Sequence, residues 1–335
     1  DGYFLTSLIE LVQINALVLA ITSIFSWWLE RRFFSNTSEN SSVEEIQRSE
    51  KTSRSFHRVA ASVSLALSAL VIVSSTIGLV ITPGSPEIAV TAVSVWGWLA
   101  LIIGSFAFLL QQSQDRHHLF DRLLFSGFIV TLMISLNFCR WDKGNWLGYH
   151  TLMVGITALL GVLLLSAWFI PQLRESLTAK GSPSLKWLGI VGVLSLFLSL
   201  RAMGYDPAGP WWIIGIWIAL GLQSGILAVL SQRVHLLYLA TGFFHAAVSF
   251  GWISEYWKTT ESLASFITMS HIIELVQVNA LVLGIASIIS WWLERRFFSN
   301  TSESLATKAP ETSEKTSRSF HRVAASVSLA LSALV

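Results

Sequence analysis

Long apolar stretches separated by short polar breaks run along most of the chain. A helix needs about 20 apolar residues to cross the hydrocarbon core of a bilayer, and most of the stretches reach that length. Backbone polar groups in lipid must be bonded within the segment, so the stretches predict helices, and the strict alternation of a β-barrel strand is absent. Nine full spans are predicted, followed by a truncated tenth that begins near His321: 3–28, 57–82, 88–111, 120–139, 149–170, 187–203, 211–232, 234–257 and 265–293.

The predicted fold is therefore all-α, a polytopic bundle of transmembrane helices. Composition agrees, because 53% of the 335 residues are hydrophobic and 13% are charged, against about 25% charged in soluble domains. This excludes a disordered chain, a coiled coil, a nucleic-acid-binding domain and an ordinary cytosolic enzyme. The single cysteine, Cys139, excludes an intrachain disulfide and a cysteine-rich metal site.

Basic residues predict the orientation of the helices in the membrane. The loops after segments 1, 3, 5, 7 and 9, together with the segment ends next to them, hold 18 of the 22 Lys and Arg residues, and the loops and segment ends on the other side hold the other 4. The positive-inside rule places the first set in the cytoplasm. We expect an integral protein of a bacterial inner membrane, with the lipid bilayer and other membrane subunits as partners and no nucleic acid.

A long repeat dominates the sequence. Residues 8–71 recur at 272–335 with a constant offset of 264, and 50 of the 64 pairs are identical. Ser26–Glu39 recurs unchanged at 290–303, and Ser49–Val71 recurs unchanged at 313–335. The period contains eight predicted helices, and an even number means that successive copies insert with the same orientation. The sequence thus predicts a parallel tandem repeat.

The repeat also predicts how the chain is divided. Residues 1–56 would end one repeat, residues 57–320 would form a complete eight-helix repeat, and residues 321–335 would begin the next. Weaker similarities within the period suggest two four-helix halves. The chain is then expected to be a window onto a longer protein, whose native subunit would exceed 37.1 kDa in mass.

Four polar residues fall inside predicted spans, at equivalent places in the two copies: Glu10, Gln13, Glu274 and Gln277. Each Glu lies two turns into a helix, roughly 10 Å deep. An ionisable group at that depth is costly, which makes it a functional hypothesis by default. One interpretation is a proton or cation site, or a contact with a quinone or haem. The other is a hydrogen bond that joins packed helices.

Three histidines form a second candidate set. His150 and His271 lie near the outer ends of the fifth and ninth segments, and His245 lies in the middle of the eighth. Neutral imidazole nitrogens can ligate haem, and a bis-histidine site needs two of them at similar depth on facing helices. The alternative is that these side chains bond to headgroups or neighbouring helices.

The stretch from Trp146 to Ser166, which begins Trp-Leu-Gly-Tyr-His, resembles the histidine-bearing helix of the cytochrome c assembly family of haem-handling membrane proteins. In that family a further helix follows, then an external Trp-rich loop ending in Trp-Asp-Pro, then two more helices. This chain has the same order, with Tyr205-Asp206-Pro-Ala-Gly-Pro-Trp-Trp as the loop. It departs from the family in having Tyr205 before Asp206 and in the depth of His245. The resemblance implies haem as a cofactor.

Three functions remain open from the sequence. The first is a non-catalytic membrane scaffold or accessory subunit of a larger membrane complex, which a repeated architecture with few buried charges favours. The second is a haem-handling protein of the cytochrome c assembly type. The third is a proton- or cation-coupled carrier that uses Glu10 and Glu274. The sequence assigns no catalytic residue and no metal ligand, and it leaves open whether the protein is an enzyme.

Overall fold

The computed structural model describes residues 2–29, 32, 43–81, 93–111, 119–139, 146–178, 183–233, 235–259, 269–293 and 296. In these ranges the chain forms ten α-helices and no strand. They are α1 (Gly2–Leu29), α2 (Val43–Ile81), α3 (Val95–Gln111), α4 (Leu119–Cys139), α5 (Trp146–Phe169), α6 (Pro171–Thr178), α7 (Ser184–Met203), α8 (Trp211–Ser231), α9 (His235–Thr259) and α10 (Met269–Leu293).

Eight of the helices in the described ranges are long and apolar enough to cross a membrane, and these are all except α3 and α6. The all-α fold and its membrane-spanning character are confirmed. The third predicted span is shorter than expected, because α3 has 17 residues and covers about 25 Å. The truncated tenth segment lies outside the described residues.

Two helix starts differ most from the sequence prediction, those of α2 and α3. Helix α2 begins at Val43 rather than near residue 57, within a polar stretch that was expected to be a loop. That stretch has no Gly or Pro, and Glu44 and Glu50 each precede an Arg by four residues. Such Glu-to-Arg spacing favours a helix without any apolar face. The fall in hydrophobicity before residue 57 therefore marks where the apolar span begins, whereas the helix itself begins earlier, at Val43.

Helix α3 begins late because Ser94 caps it. The Ser94 hydroxyl oxygen accepts a hydrogen bond from the backbone N–H of Gly97 at 3.0 Å, and the Ser94 carbonyl accepts from Trp98. An N-cap serine satisfies a donor that the first helical turn leaves open. The predicted span included residues 93 and 94, and this part of the prediction is wrong, because the structure places both residues before the helix.

The described chain divides into two compact units, and the divisions fall inside α5, before α6 and inside α7. Unit 1 holds the described residues up to 159 and from 171 to 187, and unit 2 holds those from 160 to 170 and from 188 onward. The predicted repeat boundaries at residues 56 and 320 come from the sequence alone and stay predictions.

In unit 1, helices α1, α2 and α3 pack against one another. Ala16, Leu17 and Ala100 form a buried cluster at their meeting point. The short helix α6, which lies in a stretch predicted to be a loop, packs on α4. There the Ser176 hydroxyl accepts a hydrogen bond from the backbone N–H of Phe120 at 3.1 Å. That N–H lies in the first turn of α4, where backbone donors have no partner within their own helix, and α6 supplies the missing acceptor.

In unit 2, α8 and α9 form an antiparallel hairpin, and α10 packs on α9. Gln232 ends α8 in the left-handed conformation, with φ at 56°. Along the hairpin Gly221 lies against Phe244, and Gly251 lies against Ile214. Because these glycines have no side chain, the two helices approach closely at both levels.

Candidate functional site

The repeated helix occurs twice in the structure, as α1 in unit 1 and as α10 in unit 2. The two copies share their polar positions but not their surroundings. Gln13 is buried at 2% exposure, whereas its equivalent Gln277 is exposed. The reverse holds for the asparagines, because Asn15 is exposed and Asn279 is partly buried.

Helix α1 uses the Gln13 side of the repeated helix. The Ser94 hydroxyl donates to the Gln13 side-chain oxygen at 2.6 Å, and the Ser64 hydroxyl donates to the carbonyl oxygen of Ala16 at 2.6 Å. Both bonds cross between helices of unit 1. Gln13, predicted as an intramembrane site residue, therefore joins packed helices in this unit.

Helix α10 uses the Asn279 side. Its Asn279 amide nitrogen donates to the carbonyl oxygen of Leu275 at 2.9 Å, so the side-chain oxygen faces outward as an acceptor. Ser249 on α9 donates its hydroxyl to that oxygen at 3.0 Å, and His245 Nδ1 lies 2.8 Å from it. We call His245, Ser249 and Asn279 the Asn279 cluster.

The cluster fixes the tautomer of His245. An amide oxygen cannot donate, so in the neutral form of the ring Nδ1 carries the proton and Nε2 carries a lone pair. The Nε2 atom is buried, and it has no hydrogen-bond partner in the part of the chain that the structure describes. A neutral histidine held by its Nδ1–H, with Nε2 left as an acceptor, is the arrangement that metal-ligating histidines adopt.

The other two candidate histidines lie elsewhere. His271 on α10 has its ring centroid 6.1 Å from that of Trp252 on α9. It precedes Asn279 by eight residues, which places it about 12 Å along the helix from the level of His245. His150 is buried in α5, in unit 1, with its ring centroid 6.0 Å from that of Trp146. Within unit 2, His245 and His271 therefore do not share a depth.

The two glutamates also differ between copies. Glu10 is exposed on α1, and Glu274 is partly buried on α10. In the described ranges no group of three or more His, Cys, Asp or Glu side chains is placed to hold a metal ion.

Residues 204–210, which the sequence analysis compared with a Trp-rich external loop, form a compact turn between α7 and α8. The Asp206 carboxylate accepts a hydrogen bond from the backbone N–H of Ala208 at 2.9 Å, so it stabilises its own turn. Gly209 adopts a φ of 90°, which a glycine tolerates without strain. Tyr205 is 65% exposed and Trp211 68% exposed at the two ends of the turn.

Sequence reasoning missed Ser64, Ser94 and Ser249, which supply the donors of the bonds between helices. Hydroxyls are common in transmembrane helices and often bond to their own backbone, as Thr22 does to Val18. The repeat did offer a signal for the contact at Asn279. Asn15 and Asn279 occupy equivalent positions in two copies of an apolar helix, and a polar amide present in both copies indicates a hydrogen bond to another helix. No protein-family model, curated protein or solved structure matches this chain.

Proposed function

We propose that this integral membrane protein is a non-catalytic scaffold or accessory subunit, in which the repeated helix joins neighbouring helices. The observation that carries the proposal is that the two copies of one helix pack through different sides. In α1, Gln13 and Leu17 are buried. In α10, Asn279 is partly buried, whereas Leu281, the equivalent of Leu17, is 64% exposed. A helix with two usable packing sides can connect two neighbours.

The use of polar side chains within the spans supports this function. Gln13, Ser64 and Asn279 all bond across helix pairs, and so does Trp217, which donates its indole N–H to Ser199 at 2.8 Å. In lipid, helices associate through close packing and such bonds, because the apolar surface gains nothing by leaving the hydrocarbon. These side chains hold helices together rather than converge on one pocket.

Native mass spectrometry of the protein released from its own membrane in mild detergent tests the scaffold function. We expect an assembly that contains other membrane polypeptides in fixed ratio. Leu281→Trp should reduce the assembled fraction, because it enlarges the open side of α10. The matched control is Leu222→Trp on α8, which is 57% exposed and outside the repeated helix. A lone chain, or an equal effect of the two variants, would contradict the proposal.

A second candidate function, haem handling, is favoured by the buried Nε2 of His245. Its Nδ1 is held by Asn279, so the buried Nε2 is the atom that would ligate a haem iron. His271 lies at another level, so His245 is the histidine that would hold the iron among the described residues of unit 2. Bound haem would supply redox or ligand-transfer chemistry, and the chain would supply orientation and an apolar surrounding.

Absorption spectroscopy after haem-replete expression tests this second function. A Soret band that is lost in His245→Gln and kept in His235→Gln would support it, since His235 is exposed at the start of α9. Colourless protein, or a Soret band that survives His245→Gln, would argue against haem at this histidine.

A further inference from the structure

One side of α1 is exposed in unit 1 although it carries polar groups within a membrane span. Its members share one stripe of the helix and are all exposed: Leu11, Ile14, Asn15, Val18 and Thr22. We call this stripe the Asn15 face. Leu11 is 57% exposed and Val18 is 55% exposed, so no described helix of unit 1 covers the stripe.

The equivalent stripe of α10 is covered. Its members, all of them partly buried in unit 2, are Leu275, Val278, Asn279, Val282 and Ala286. The helix that packs on α10 is α9. A position just outside the stripe does not change between the copies, since Ile21 is 51% exposed and Ile285 is 50% exposed. On this part of the helix surface, the difference between α1 and α10 therefore follows the side that α9 covers.

Asn15 is already arranged to accept donors. Its amide nitrogen donates to the carbonyl oxygen of Leu11 at 2.8 Å, just as Asn279 donates to Leu275 at 2.9 Å. Both side-chain oxygens are thereby left as outward acceptors. The Asn279 oxygen receives His245 and Ser249, while the Asn15 oxygen has no partner among the described residues. An amide acceptor left unbonded in hydrocarbon is costly.

We infer that the Asn15 face binds a transmembrane helix with the sequence of α9, supplied by a second copy of the repeat. That helix presents His and Ser donors four residues apart on one side, which is the pattern that fills the equivalent acceptor on α10. The contacts of His245 and Ser249 with Asn279 and of Trp252 with His271 run in opposite directions along the two helices, so the bound helix is antiparallel to α1. The inference rests on the proposed scaffold function.

One contact of the α9–α10 pair is absent from the proposed one. Ser7 stands in α1 where His271 stands in α10, and His271 packs its ring against Trp252. Binding to α1 therefore depends more on Asn15 than binding to α10 depends on Asn279. The substitution of Asn15 should have a correspondingly clear effect.

Binding of a synthetic peptide of residues 235–259 to the full chain in phosphatidylcholine vesicles tests the inference. The peptide carries a dansyl group at its N-terminus, and energy transfer to it from the tryptophans of the full chain measures binding. The labelled peptide leaves Asn15, His245 and Ser249 intact. We expect saturable binding of the peptide to the unchanged chain.

Asn15→Val should weaken peptide binding about three- to eighteenfold, as expected for a bond between helices in lipid. Asn15 is exposed and bonded only to its own helix in the described chain, so the variant keeps the fold. The matched control is Ile21→Val, which should leave peptide binding unchanged, because Ile21 is exposed in α1 and its equivalent stays exposed beside α9. No effect of Asn15→Val, or an equal effect of the two variants, would overturn the inference.

The two proposals fail separately. If the native assembly forms but Asn15→Val binds the peptide as well as the unchanged chain does, the scaffold function stands and the Asn15 face is not the contact. If the peptide binds as expected but the native protein is a lone chain, the face recognises α9 and the scaffold function is wrong.

Discussion

At the scale of single residues, the same side chain has a different role in each copy of the repeat. Gln13 is bonded to Ser94 in unit 1, while Gln277 is exposed in unit 2. Asn279 accepts two donors from α9, while Asn15 accepts none from the described residues. Residue type and depth therefore do not fix a role. The neighbouring helix that supplies the donors decides it.

Asn279→Leu should destabilise the protein more than Asn15→Leu. The first variant leaves the Nδ1–H of His245 and the hydroxyl of Ser249 without their acceptor, and bonds of this kind contribute about 0.6 kcal/mol on average, up to about 1.7. The second removes a bond within one helix. Unfolding of the single chain by SDS in mixed micelles measures both, and because the two sites share their local sequence, equal effects would show that the Asn279 cluster adds no stability.

Ser64→Ala should also lower the free energy of unfolding, by about 0.6 kcal/mol or more. The Ser64 hydroxyl joins α2 to α1 through the carbonyl of Ala16. Ser62, two residues earlier on the same helix, is exposed, and Ser62→Ala is the control in the same micelle titration. If the two alanine variants unfold alike, the bond from Ser64 does not contribute to the packing of α1 on α2.

At the scale of helices, local chemistry decides where each helix begins and how closely two helices approach. Ser94 caps α3, which fixes the start of that helix at Val95. Glu and Arg spacing extends α2 back to Val43, well before its apolar span. Gly221 allows α9 to lie close to α8, since an added Cβ there would come within 3.1 Å of the Phe244 ring.

Gly221→Ala should therefore cost about 1–3 kcal/mol, the usual cost of overpacking a close contact. The new methyl group would meet Phe244 and, at 3.3 Å, the carbonyl oxygen of Ala240. At Gly225, one turn further along α8, an added Cβ would meet nothing within 4 Å, and Gly225→Ala should be neutral or slightly stabilising because alanine favours a helix. Thermal unfolding in detergent compares the two, and a larger loss at Gly225 would contradict the close approach at Gly221.

At the scale of the whole molecule, the described chain forms two compact units of membrane-spanning helices, each with one copy of the repeated helix. The glutamates of that helix distinguish between the proposed scaffold function and a carrier function. Glu10 and Glu274 differ in exposure between the units, whereas a coupling site repeated in both copies would have similar surroundings in each.

Glu10→Gln combined with Glu274→Gln should leave proton flux into proteoliposomes and the mass of the native assembly unchanged. Gln keeps the shape of Glu and can still donate or accept a hydrogen bond, but it cannot carry a proton. A pH-sensitive dye inside the vesicles measures the flux, with protein-free vesicles as the baseline. A flux above the baseline that disappears in the double variant would favour a proton-coupled carrier over the scaffold.

The sequence by itself determined that the chain is helical, that it spans a membrane, and that one helix occurs twice. These follow from the length and hydrophobicity of the segments and from residue identity, which are properties of the chain alone. The tertiary structure decided which side of the repeated helix is buried, and hence whether Gln13 or Asn279 joins two helices. Hydrophobicity could not decide this, because a helix in lipid is largely apolar on every side, and burying one side rather than another gains no hydrophobic free energy. The buried side is selected by small residues that let backbones approach and by single donors, such as Ser94 and His245, that come from elsewhere in the chain.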